Sequence, residues 1–102
     1  MKLTNVQLYK IDRGLGALIQ LKVKGGFKFK VYKTVKQLSE CLEPVQESLK
    51  GVDDTDERVD ILNATQEVQL ETFEVRELED LEISTETIMD LEPIINFEEV
   101  SS

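Results

Sequence analysis

Lys22, Lys24, Lys28 and Lys30 bracket the pair Gly25-Gly26, and this is the segment whose residue types best suit ligand chemistry. Glycines leave backbone amides accessible, and the start of a helix here adds its positive dipole end to the field of the ammonium groups. Such a combination suits a phosphate or another small anion, a nucleotide included. The spacing matches neither a P-loop nor a dinucleotide-binding fingerprint. The same residues also suit a hairpin loop kept soluble by lysine, or a basic surface that docks on an acidic part of its own chain.

Catalytic groups are scarce. The chain has no His and a single cysteine, Cys41, so the common general base and the common nucleophile pairs are missing. Carboxylates are abundant, but no pair is marked out by spacing, and the expectation is a non-enzymatic protein without a cofactor. One cysteine excludes an internal disulfide framework and a cysteine-based zinc site. The run Asp53-Asp54-Thr55-Asp56-Glu57 lacks the glycine and the distal glutamate of a calcium loop. Phe27, Phe29 and Tyr32 lie among the lysines as stacking groups, yet a net charge of −9 and a pI near 4.5 argue against nucleic acid.

The elements that must carry these residues follow from periodicity. Thr4 or Asn5 caps a first helix whose stripe is Leu8, Ile11, Leu15, Leu18 and Leu21, and Gly25-Gly26 ends it. Gly14 and Gly16 weaken that helix and admit a neighbouring backbone. In a second helix Phe27, Val31, Val35, Leu38, Leu42, Val45 and Leu49 recur at spacings of three and four, with Cys41 beside them as a small buried hydrophobe. Pro44 kinks this helix or ends its regular part. Its polar face carries Lys28, Lys30, Lys33 and Lys36 early and Glu40, Glu43 and Glu47 late. A helix dipole favours the opposite order, so the early lysines need another explanation. Gly51 closes the helical half. Alternation through Val68, Leu70, Phe73 and Val75 reads as half-buried strand, with a bulge or turn where the phase changes. Ser84 caps a short helix stopped by Pro93, and Ile94 to Phe97 is extended.

These elements make an α+β single domain. An antiparallel helical hairpin spans residues 1–50, an acidic connector 51–65, a small antiparallel β section with a short helix 66–97, and a frayed tail 98–102. Chains of 102 residues bury only about 60–65% of their unfolded surface, so self-association would add stability. The stripe Val31, Val35, Leu38, Leu42, Val45 and Leu49 exceeds what a two-helix hairpin buries, which points to a homo-oligomer. Residues 1–50 hold ten basic and four acidic side chains, a balance of +6; residues 51–102 hold two and seventeen, a balance of −15. Such halves face each other or face different partners, with Glu71, Glu74, Glu77 and Glu79 presenting the acidic surface. No apolar run reaches membrane-spanning length, and no apolar signal core follows the N-terminal residues.

In its organisation the chain resembles small accessory proteins of tailed bacteriophages. The resemblance rests on Met1-Lys2-Leu3, on the lysine-rich stretch from Lys22 to Leu49, and on Ile83-Ser84-Thr85 through Leu91-Glu92-Pro93-Ile94-Ile95. It implies a phage-encoded interaction protein that binds a virion or host protein in the host cytoplasm or on the virion, and it carries over no catalytic residue. The rival expectation is an inhibitor of host antiviral defence, which sequesters a nucleotide signal or imitates nucleic acid through its acidic half.

Overall fold

The computed structural model describes residues 1–97 of the chain; the frayed tail expected at 98–102 lies outside them. Strand β1 (Lys2–Thr4) runs directly into helix α1 (Asn5–Ile19), and Thr4 makes the junction. Its hydroxyl accepts from the Gln7 amide at 3.1 Å while the Gln7 side chain accepts from the Thr4 amide at 2.8 Å, a reciprocal capping box. Leu8, Ile11, Leu15 and Leu18 are fully buried along one stripe of α1, as the spacing requires.

Two helix boundaries differ from the sequence expectation. Helix α1 ends at Ile19, and Gly25-Gly26 are the first residues of α2 (Gly25–Leu49). Glycine is tolerable there because the first amides of a helix have no intrahelical acceptor to lose. Pro44 does not end α2 either. Glu40 and Pro44 are both exposed, so water can satisfy the Glu40 carbonyl that loses its donor, and the Ser48 hydroxyl donates to the Pro44 carbonyl at 2.8 Å. Gly51, with φ near +75°, then turns the chain out of α2. The expected acidic connector contains a short helix, α3 (Thr55–Asn63), capped by the Asp54 carboxylate on the Asp56 amide at 3.0 Å.

The β section departs most from the sequence reading. Strand β2 (Thr65–Glu67) pairs antiparallel with β1, and β3 (Phe73–Glu74) pairs in parallel with β4 (Ile95–Asn96). The segment that alternates in sequence therefore does not fold on itself as an antiparallel hairpin. It pairs at one end with the beginning of the chain and at the other with residues near its end, and the change of phase between Leu70 and Phe73 marks the passage from one sheet to the other. Val75 leaves the strand pattern and opens α4 (Val75–Leu78). The Ser84 hydroxyl caps α5 (Thr85–Leu91) through the Thr87 amide at 3.1 Å, and Pro93 sits in a 3₁₀ turn, Glu92–Ile94, that leads into β4.

The fold is α+β, mostly helical with two small two-stranded sheets. One apolar cluster joins both halves: Leu8, Ile11, Leu15 and Leu18 of α1, Val31, Leu38 and Leu42 of α2, then Val68, Leu70, Phe73, Leu91, Ile94 and Ile95. Helix α1 lies at its centre, packed against both α2 and α5. Gly14 sets the distance to α5, because a Cβ placed there would stand 2.7 Å from Cγ of Leu91. Gly16 faces open space.

Candidate functional site

Of the six residues singled out as an anion site, five are exposed about the start of α2 and one, Lys30, is engaged within the chain. Gly25 and Gly26 open α2 in exposed positions, and Lys22, Lys24 and Lys28 are exposed around them. Lys24 occupies the cap position without a side-chain hydrogen bond to the helix. Lys30 points the other way. Its Nζ donates to Glu77 Oε1 at 2.8 Å and stands 4.9 Å from the centre of the Phe73 ring. Phe73 is fully buried and meets Phe27 edge-on, with ring centres 5.6 Å apart. Lys30 is thus a joint between α2 and the acidic segment, held by an ion pair and by the negative face of an aromatic ring.

Lys33 extends that joint, with Nζ 2.8 Å from Glu71 Oε1. The Glu71 amide in turn donates to the Gln37 side chain at 3.0 Å. Glu77 has a second role. It accepts from the Glu74 amide at 2.8 Å and so closes the capping box of α4. Partial burial would raise the Glu77 carboxyl, but the Glu74 amide and the Lys30 ammonium outweigh it and hold the group below its usual range. The hydrogen bond and charge of Lys33 lower Glu71 likewise. Two of the early lysines of α2 therefore have their explanation inside the chain. They dock the acidic segment, and what they lose against the helix dipole is offset by those contacts.

A second ion pair fastens α5. Arg13 grips Asp90 with Nε to Oδ2 and Nη2 to Oδ1, both at 2.8 Å, and Glu86 lies 3.8 Å from the same guanidinium. The Arg13 hydrogen bonds hold the buried Asp90 carboxyl below the ordinary carboxylate range. Gln7, Lys10, Arg13, Met89, Asp90 and Phe97 line an open groove of about 770 Å³ beside this pair. Arg13 and Asp90 pair with one another in its lining, which also holds Lys10, Glu86 and Glu92.

The sequence-derived interface residues are largely internal. Val31, Leu38, Leu42 and Val45 are buried, and Val35 and Leu49 are half-buried. The stripe does exceed what α1 covers, but Val68, Leu70 and Phe73 from the acidic half join the same cluster. Excess apolar surface on that stripe consequently gives no reason for an oligomer. Of the acidic group, Glu71 and Glu77 are in ion pairs, Glu74 accepts from the Asn96 amide group at 3.5 Å, and Glu79 alone is exposed. Cys41 is half-buried, and burial, helped by the neighbouring Glu40, pushes its thiol up.

The core leaves the outer face of α2 uncovered. Phe29 is 72% exposed and Tyr32 50% exposed, one turn apart, with Lys28 and Lys36 alongside. The sequence placed both aromatics among stacking groups for nucleic acid and did not mark them as a surface in their own right. The available signal was their position opposite the apolar stripe. Met89 and Phe97 form a smaller exposed apolar area at the rim of the groove. Among the described residues no cluster of His, Cys, Asp and Glu could hold a metal ion, and no helix is long and apolar enough to cross a membrane. No protein-family model, curated protein or solved structure matches the chain.

Proposed function

We propose that this protein is a non-enzymatic interaction module that docks a protein partner through the outer face of α2. The observation that carries the reading is the exposure of Phe29 and Tyr32 on a 25-residue helix, in a ring of lysines. Large aromatics are rarely left in water on a rigid element, and aromatic side chains dominate the binding energy of protein interfaces. In this reading α1 and α2 act as an antiparallel hairpin that presents the face, and the acidic half braces it from behind through Lys30 and Lys33. The resemblance to phage accessory proteins makes a virion or host protein the partner class, in the cytoplasm of an infected cell. The rival readings, nucleotide sequestration and mimicry of nucleic acid, have less support, since Lys30 and the central glutamates Glu71 and Glu77 are engaged with one another's segments.

Photo-crosslinking tests the reading. A benzophenone amino acid at position 29, compared with one at the exposed Val59 of α3, is introduced into the full chain in infected cells. Position 29 should give a discrete protein adduct that position 59 does not give. Equal labelling at both positions, or none at either, would remove α2 as the docking face.

A further inference from the structure

The geometry points to a second copy of this chain as an occupant of the α2 face, with the two helices antiparallel. This rests on the interaction reading and names one partner for that surface. The outer face has a stripe of its own: Phe29, Lys33, Lys36, Glu40, Glu43 and Glu47, at spacings of 4, 3, 4, 3 and 4. Spacings of three and four keep these positions on one side of the helix along its length. All six are exposed, although Lys33 also reaches Glu71.

The stripe is antisymmetric in charge about Leu38. A two-fold axis between the helices at the level of that residue sets Phe29 towards Glu47, Lys33 towards Glu43 and Lys36 towards Glu40, so each basic position meets an acidic one. A parallel pair would set lysine on lysine and glutamate on glutamate. A two-fold contact must be self-complementary, and this face meets that condition in the antiparallel sense. The order of charges that disfavours α2 alone, basic at the start and acidic at the end, is the order an antiparallel pair needs. Opposed dipoles add to the attraction. Among the described residues Lys36, Glu40 and Glu43 form no ion pair within the chain, and Glu47 pairs only with Lys50 on the same face.

Phe29 and Glu47 are 18 residues apart in sequence, about 27 Å along the helix axis. A contact of that length from one helix per chain falls below the ~800 Å² per partner of a standard interface. The expected dimer is therefore weak and salt-sensitive, with a Kd on the order of tens of micromolar at low salt.

Analytical ultracentrifugation of the full chain across the micromolar range, at low and high salt, tests the proposal, with thermal melts confirming that each variant stays folded. Wild type should dimerise at low salt and dissociate at high salt. Phe29→Ala should weaken the dimer about tenfold. Lys36→Glu makes the centre of the stripe all acidic and Glu40→Lys makes it all basic, so each alone should be monomeric while an equimolar mixture should form heterodimers. The chain carrying both exchanges should recover the homodimer, which a parallel pair would not. A monomer at every concentration and salt would overturn the proposal, and so would a dimer indifferent to these substitutions. Either result leaves intact a heterologous adduct captured from position 29, so this failure is distinguishable from failure of the interaction reading itself.

Discussion

At the scale of single residues, two glycines of the same helix have opposite meanings. A methyl group at Gly14 meets Leu91 Cγ at 2.7 Å and Asp90 Cβ at 3.3 Å, and neither atom is the free end of a flexible chain. Helix α5 would have to move away from α1, carrying Asp90 with it. Gly14→Ala is therefore expected to lower stability by about 1–2 kcal/mol even after its gain in helix propensity. Gly16 has nothing within 4 Å of the same position. Gly16→Ala should raise stability by up to ~1 kcal/mol. Urea denaturation of the two variants gives the signs directly, and like signs would show that close approach at Gly14 is not what keeps it glycine.

At the scale of elements, short helices in the acidic half depend on their caps. Helix α4 has four residues, too few for propensity to hold it. Glu77 serves it twice, by accepting from the Glu74 amide and by receiving Lys30 from α2. Glutamine at 77 keeps an oxygen for the amide and gives up the charge. Glu77→Gln should accordingly cost less than Glu77→Ala, which loses both and is expected to cost about 1–2 kcal/mol. Thermal melts of the two variants measure the difference, and equal losses would mean that the cap contributes nothing.

At the scale of the whole molecule, ion pairs link the basic half to the acidic half at Lys30–Glu77 and Lys33–Glu71, and Arg13–Asp90 fastens α5 to α1. All three carboxylates are held below their ordinary values in the folded state. The unfolded chain then binds protons first as pH falls. The stability they confer is complete above the unfolded carboxylate range and is lost as pH drops through the lower folded values. Melting temperature should therefore fall on acidification below about pH 5. Relief of the net charge of −9 acts in the opposite direction, so the cleaner measurement is a difference. Asp90→Asn should melt lower than wild type at neutral pH, with the gap closing towards pH 3. A gap that does not change with pH would mean that Asp90 acts through packing alone.

Periodicity and capping chemistry are local, so much of this protein is legible in its amino-acid order: the stripes of α1 and α2, the caps at Thr4 and Ser84, and the stop at Pro93. The opposition of a basic and an acidic half is equally plain there. Strand pairing is not, because two or three residues of β1 or β4 have no signature in sequence, and their partners lie at Thr65–Glu67 and Phe73–Glu74. Nor can spacing decide between Gly14 and Gly16, since the difference is the position of Leu91 from the far end of the chain. The candidate site follows the same division. Residue types draw the eye to the lysines of α2, but only tertiary packing determines that Lys30 turns inward to Glu77 and that Lys33, while exposed, reaches Glu71. Burial is a property of what lies opposite, and the Val31-to-Leu49 stripe that reads as an interface lies largely within the core, leaving Phe29 and Tyr32 as the exposed large hydrophobics of α2.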